Sequence, residues 1–276
     1  MTPPNGVSSL KKHGRSFYFA SRFLGPQDTA RAAGLYGICR QIDDLADETQ
    51  DRAALADLKD HLARRDTSHP LVAEYFSLSS DMPSQPLIDL IDGALSDLDW
   101  VAFESQDQLE RYAYQVAGTV GLMMCGVFGV RDPNAVSHAV ALGQAMQLTN
   151  IARDLVTDAK MGRRYMPAHW CGDLSPAEIV HPTAEQREAM QQGLVLMLDR
   201  ADELYQHGFV GLKYLPPRVR LAIRIAAQVY REIGVRLQQQ GLDPWAGRTV
   251  VPGVDKALLA IQSSFTWWRF DRDARP

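Results

Sequence analysis

Proline sets the frame of this chain. It stands at Pro26, Pro70, Pro83, Pro86, Pro133, Pro167, Pro176, Pro182, Pro216, Pro217, Pro244 and Pro252, with long proline-free spans between these positions. Because proline ends or kinks a helix, those spans are where long helices fit. Within them apolar residues recur at three-and-four spacing, as in Leu87, Leu90, Ile91, Ala94, Leu95 and Leu98. Polar/apolar alternation over strand lengths is scarce. The pattern predicts an all-α fold, a helical bundle with helices at about 27–49, 51–65, 86–103, 106–129, 134–158, 184–208, 217–240 and 253–268. The stretch 66–85 reads as a loop with a short helix, and 166–183, rich in Pro, Gly and Asp, as a second long connection. No Gly/Ser-rich linker divides the helices, so residues 1–276 read as one domain.

Composition narrows the function classes. With 46% hydrophobic and 22% charged residues in 276, the chain has ample material for a core. A net charge of −4 without a long basic run argues against a nucleic-acid partner. Cys39, Cys125 and Cys171 are far apart, odd in number and without CxxC spacing, which indicates neither a disulfide framework nor a zinc site; a reducing cytoplasm is expected. The opening "MTPPNGVSSLKKHGRS" has no apolar core of the secretory kind. The longest nearly unbroken apolar run, Val116 to Val130, falls short of the roughly 20 residues that span a bilayer and reads as a buried helix.

Against this background two polar stripes stand out. In "LTNIARDLVTD" Asn150, Asp154 and Asp158 are spaced four apart, and with Gln147 they fall within roughly 80° of a helix surface. In "YGICRQIDDLAD" Tyr36, Arg40, Asp43 and Asp47 fall within roughly 60°, with Asp44 towards the edge. A solvated surface would mix lysine or arginine into such a stripe, whereas here like charges repeat at i and i+4, which destabilises unless a cation is present. The flanks are apolar as well: Ile38, Ile42 and Leu45 in one, Leu148, Ile151 and Leu155 in the other. If the two helices face each other, their oxygens suit Mg²⁺, with Mn²⁺ as a substitute, a hard cation that leaves positions for water and substrate phosphates. That chemistry implies a diphosphate, with Arg40, Arg153, Lys160, Arg163 and Arg164 standing near to neutralise it. Dedicated calcium or zinc sites fit poorly, since neither an EF-hand loop nor His or Cys in the stripes is present.

Four stretches in order and spacing, "HGRSFYFASRFL", "YGICRQIDDLADE", "YAYQVAGTVG" and "QLTNIARDLVTDAKMGRRYMP", resemble the squalene/phytoene synthase family of head-to-head prenyl transferases. The resemblance is close over about 13–167 and loose beyond. It implies an isoprenoid synthase fold whose central cavity lies between two aspartate-rich helices. By match to the family motifs, Asp43 and Asp47 form one metal-binding pair and Asn150, Asp154 and Asp158 the second group. Arg40 and Arg153 are implied as diphosphate contacts, Gln147, Tyr36, Tyr112 and Tyr230 as cavity lining, and Ser16 and Phe17 as a flap over the leaving diphosphate. Gly14 where many members have Ser, and "DLVTD" for the frequent "DVGED", depart from the pattern but leave every aspartate intact.

The implied reaction joins two allylic prenyl diphosphates 1-1′ through a cyclopropylcarbinyl diphosphate, in a cavity that keeps water from the cations. Aromatic faces can steady such cations; Phe17, Tyr36, Tyr112 and Tyr230 are the candidates, while Phe19 reads as core. Because the departing diphosphate can take the last proton, His13, His69, His138 and His207 read as structural or exposed. "GTVG", Gly118 to Gly121, lacks the phosphate-loop pattern and reads as a close chain approach or room for a substrate tail. The motif text favours two geranylgeranyl diphosphates giving phytoene, with farnesyl diphosphate going to presqualene diphosphate, hydroxysqualene or squalene as the alternative. A non-catalytic assembly relative should have lost metal aspartates, and a terpene cyclase lacks the "SFYFAS" and "QLTNIARD" context. Trp267, Trp268, Arg269 and Arg272 either rest at a membrane interface, where product would leave, or pack as a terminal helix. The sequence is silent on oligomeric state.

Overall fold

The structure is a computed structural model that describes residues 11–12 and 14–273, with Arg15 and residues 265–273 as backbone alone. The chain runs through α1 (Arg15–Ser21), α2 (Pro26–Asp47), α3 (Arg52–Ala63), α4 (Pro70–Ser77), α5 (Ser84–Ser96), α6 (Gln106–Ala113) and a π-helical segment, Tyr114–Gly118, that leads into α7 (Thr119–Val127). It continues through α8 (Asn134–Lys160), α9 (Ala168–Cys171), α10 (Pro176–Val180), α11 (Ala184–Val210), α12 (Pro217–Gln239) and α13 (Gly253–Asp273). Among the described residues the isolated bridge between Ala102 and Arg164 is the one β-type pairing, so the fold is all-α. No helix among them is long and apolar enough to cross a membrane.

The helix starts follow local chemistry. Pro26, Pro70, Pro176 and Pro217 sit in first turns, where a missing N–H costs nothing. Ser105 with Gln108, Ser175 with Glu178 and Thr183 with Gln186 form reciprocal capping boxes for α6, α10 and α11. The span expected as helix 86–103 stops at Ser96 instead. Beyond it the backbone turns to pair with the segment after α8: Arg164 N–H donates to the Val101 carbonyl at 2.9 Å and Phe103 N–H to the Arg164 carbonyl at 3.2 Å. The stretch 66–85 does hold a short helix, α4, and 166–183 holds α9 and α10. His13 and the Trp267 and Trp268 side chains lie outside the described residues.

Three apolar clusters build the bundle. One centres on α8 and α11, through Leu148, Ile151, Leu155, Leu194 and Met197. A second joins α2 to α3, α5 and α7, through Ile38, Ile42, Leu55, Leu87 and Met123. The third packs α1 and α13 on α12, through Ala20, Ile225, Val229 and Ala260. Burial at about 25 cal/mol per Å² of apolar surface makes these clusters the main favourable term. Between them lies open space, and α2, α7, α8 and α12 are its walls.

Where α7 crosses α8 the backbones touch. A Cβ on Gly121 would stand 2.2 Å from the Ala139 carbonyl oxygen, and one on Gly143 2.2 Å from that of Ala117. The "GTVG" glycines therefore serve a close helix crossing, one of the two readings open from sequence. Phe19 packs edge-on against Phe23 in the third cluster, as expected of a core residue.

Candidate active site

The space between the helices has two joined compartments. One is an apolar tunnel of about 310 Å³, lined on α8 by Ala135, His138, Ala139, Leu142, Gly143 and Met146. The other is a polar chamber of about 350 Å³, lined by Asp43, Asp47, Asp97, Asp154, Asp158 and the arginines Arg153 and Arg163. Asp43, Leu90, Val116, Gln147 and Asn150 belong to both and mark the threshold. Helix periodicity explains the join: residues at three-and-four spacing share a face, and on α8 that face changes from small and apolar to polar at Gln147. The same change occurs on α2, from Ala32 and Tyr36 through Asp43 to Asp47. The π-helical turn of Tyr114–Gly118 sits opposite, with Val116 lining both compartments; such turns are frequent at functional sites.

Both aspartate stripes thus face one chamber. Asp43 has its carboxyl pushed up to about 7, first by burial and then by the charge of Asp47. By surface area Asp43 is exposed, because it opens onto both compartments. Asp158 is likewise pushed up to about 7, by burial and then by Asp154. Asp154 behaves differently. Burial would raise it, but hydrogen bonds from Arg153 and Arg248 outweigh that and hold it below the ordinary carboxylate range. The Arg153 Nε donates to Asp154 Oδ1 at 2.9 Å and its Nη2 donates to Oδ2. Arg248 brings Nε to Oδ1 at 2.9 Å and Nη2 to Oδ2 at 3.1 Å, so two forks grip one carboxylate. Arg163 spans the chamber, donating from Nη2 to Asp47 Oδ1 at 2.8 Å and to the Asp97 carbonyl at 3.3 Å.

The remaining candidates divide. Tyr112 lines the chamber and donates to Asp97 Oδ2 at 2.7 Å, beside Tyr165, which donates to Asp97 Oδ1 at 2.8 Å. Tyr36, Phe17 and Tyr230 line the tunnel, with the Phe17 and Tyr230 ring centres 5.1 Å apart; burial pushes the Tyr36 hydroxyl up to about 12. Gln147 and Asn150 stand at the threshold, and Asn150 Oδ1 is buried without a partner. Ser16 and Arg40 line neither compartment. Ser16 is half-buried on α1, and Arg40 turns along its own helix to Asp44 at 2.5 Å and Glu48 at 3.3 Å. Arg164, named with the phosphate-neutralising group, is 2% exposed and held by Asp173 at 2.9 Å and the Phe103 carbonyl at 3.1 Å, a structural post. His138 and His207 lie with ring centres 4.3 Å apart at a tilt of 38°, and His69 accepts from the Leu71 N–H at the start of α4.

Sequence reasoning missed Asp97, Tyr165 and Arg248. Asp97 was hidden inside a span read as continuous helix, Tyr165 stood unremarked in "GRRYMP", and Arg248 is a lone arginine in the connection before α13 with no local signal.

A squalene/phytoene synthase family model matches residues 10–255. A phytoene synthase of Pseudescherichia vulneris is 32% identical over 262 residues, 88% of this chain and 85% of that one. A 15-cis-phytoene synthase of Enterobacter agglomerans is 32% identical over 269 residues, 91% of this chain and 90% of the relative. Among solved structures, a dehydrosqualene synthase in complex with ligand superimposes with a TM-score of 0.83 at 28% identity, over 95% of this chain and 94% of that chain. The squalene synthase HpnC of Alicyclobacillus acidocaldarius shares the fold, with a TM-score of 0.74 at 23% identity over 86% of this chain and 94% of that one. With two aspartate-bearing helices turned onto one chamber and a family match over nearly its whole length, the chain belongs to the squalene/phytoene synthase family and is a prenyl transferase.

Proposed function

We propose that the protein couples two allylic prenyl diphosphates head to head through a cyclopropylcarbinyl diphosphate, and that the substrates are two geranylgeranyl diphosphates giving phytoene. The observation that carries this reading is the junction of a charged chamber with an apolar tunnel across Asp43, Gln147 and Asn150. An anionic head on a long hydrocarbon tail matches both halves at once. Relatives of about one-third identity over most of the chain bear the name phytoene synthase, which favours the longer tail.

The residues present fit Mg²⁺. The Asn150 Oδ1 atom is buried without a donor, and the Asp43 and Asp158 carboxyls are pushed up to about 7 by burial and then by a neighbouring carboxylate. Among the described residues no three His, Cys, Asp or Glu gather tightly enough to hold a metal alone, so an ion here would take one or two carboxylates at a time and complete its shell with water and phosphate. Asp43 and Asp47 on one helix and Asn150, Asp154 and Asp158 on the other would hold such ions, which when bound supply charge neutralisation to the departing diphosphate.

The chain's own residues account for the rest. Arg153 and Arg163 present guanidinium groups to the chamber and meet diphosphate oxygens, while Arg248 stands behind Asp154 as a second positive neighbour. Phe17, Tyr36 and Tyr230 turn aromatic surface to the tunnel beside the threshold, where a cation formed at the first carbon of the tail is met by ring faces rather than water. The likeness to a dehydrosqualene synthase favours a second reading, the coupling of two shorter farnesyl chains. Incubating purified protein with Mg²⁺ and farnesyl or geranylgeranyl diphosphate separately, with and without NADPH, decides by mass spectrometry of the hydrocarbon. A forty-carbon product without NADPH is expected; a product from a single diphosphate without coupling overturns the proposal.

A further inference from the structure

The tunnel has a measurable depth. Its lining on α8 runs from Asn150 at the threshold to Ala135, and at 1.5 Å of rise per residue that is about 22 Å. An extended tail of four isoprene units has sixteen main-chain carbons, and at an advance of about 1.25 Å per bond of 1.5 Å it reaches roughly 20 Å; three units reach roughly 15 Å. The tip of the longer tail therefore comes level with Ala135 to Ala139, and the shorter one stops before Ala139, whose position is about 16 Å from Asn150.

Large side chains stand beside the Ala135 end: Phe128 follows α7 just before the turn into α8, Gly211 lies against His138, and Phe128, His138, Leu212 and Leu215 all line the tunnel. His138 is fixed there, its Nδ1 donating to the His207 carbonyl at 2.7 Å and its ring centre 4.3 Å from that of His207. Ala139 is fixed too, because its carbonyl lies against the Gly121 backbone, so the helix cannot retreat from a larger side chain at this position.

Resting on the prenyl-coupling reading above, we propose that this end of the tunnel is the length gauge, with Ala139 the residue that admits the fourth isoprene unit and Phe128 part of the wall that refuses a fifth. Neither touches the reacting carbons. Their effect is on which tail fits, so it appears in the ratio of substrates rather than in the rate common to all.

The test compares wild type, Ala139→Leu and Phe128→Ala on farnesyl, geranylgeranyl and the five-unit geranylfarnesyl diphosphate. Ala139→Leu is expected to lower the geranylgeranyl-to-farnesyl ratio of kcat/KM at least about tenfold with farnesyl use kept, and Phe128→Ala to raise the five-unit-to-four-unit ratio at least about tenfold. Thiolodiphosphate analogues that do not ionise give the same ratios by calorimetric binding, so a wild type that couples nothing refutes the function yet still answers the gauge. Should Ala139→Leu not fold, Phe128→Ala decides alone. Ratios unchanged in the folded variants, or a uniform fall for every tail length, overturn the assignment.

Discussion

Along one face of α8, Ala135 to Met146 meet an apolar tunnel while Asn150 to Asp158 meet a chamber crowded with charge. The tunnel half is held by shape: backbone rests on backbone at Gly121 and Gly143, and nothing in it asks for a partner. The chamber half is held by ion pairs, and it keeps carboxyls at Asp43 and Asp158 that those pairs leave under-neutralised. Stability and chemistry are thus sited a few turns apart on the same helix. A change in the tunnel crossing should damage folding first, and a change in the chamber should damage turnover while sparing the fold.

The sharpest way to break that contrast is to neutralise a chamber carboxylate. Asp158→Asn removes a group that burial already penalises, so the melting temperature should hold or rise, while coupling activity falls about 10²- to 10³-fold or more, the cost of losing one preorganised electrostatic contact. Asp43→Asn should behave alike. Thermal melts beside steady-state rates check both, and a variant with full turnover would end the assignment of the stripes to catalysis. The converse experiment is Gly143→Ala. Its new methyl would stand 2.2 Å from the Ala117 carbonyl oxygen, so the π-helical segment and α8 must part. Overpacking of this kind costs about 1–3 kcal/mol. For a chain of this size each kcal/mol lowers Tm by about 2–4 °C. A melt unchanged from wild type would show that the crossing is looser than the backbone contact implies.

The same contrast explains what could be read from sequence. Helix existence and the two stripes were legible because period and charge are written locally: Pro26 and Pro217 open their helices, and Asp43/Asp47 and Asp154/Asp158 repeat at four. Interruptions without a local signal were not. Nothing in the composition of 97–103 announces that its backbone will pair with Arg164, so the helix was carried seven residues too far and Asp97 was lost inside it. Nor does a run such as Tyr114–Gly118, which lies against α5 and α8, declare a π turn in its sequence. Arg248 illustrates the harder limit: it reaches Asp154 across 94 positions of sequence, and only the folded chain brings them together. Arg164 errs the other way, since its neighbours in sequence are chamber residues but its buried side chain points to Asp173 and the Phe103 carbonyl.

A smaller effect separates the halves by pH. Asp43 and Asp158 ionise near 7 in the folded protein against an ordinary value of 3.8. Below about pH 4 both folded and unfolded chains hold these protons, and between there and about 7 the folded chain holds more, so its stability falls as pH rises through that window. Asp154, held below the ordinary range, acts in the opposite direction but only below about pH 4. Metal-free protein in a chelator should therefore lose a few degrees of Tm from pH 5 to pH 7.5, and added Mg²⁺ should restore them most at the upper end, where the carboxylates are bare. Asp158→Asn should flatten the slope. A flat or rising slope in the wild type would mean that these carboxyls are better solvated than their position between the helices allows.

The finest probe is Arg248, which is 62% exposed at its side chain and yet closes one of the two forks on Asp154. An exposed pair contributes at most about 1 kcal/mol, so Arg248→Gln should move Tm very little. Its effect belongs to the chamber. With one fork gone, Asp154 is freer to take a cation, and Mn²⁺ titration followed by electron paramagnetic resonance should show affinity raised up to about tenfold, the weight of one charge-assisted contact. A positive charge beside the chamber is lost in the same change, so KM for the prenyl diphosphate should rise while kcat moves less. Arg248→Lys keeps the charge without the fork and should restore KM in part while leaving cation binding tight. Were both variants to match wild type in both readouts, Arg248 would be a surface ornament on Asp154, and the chamber's positive edge would be Arg153 and Arg163 alone.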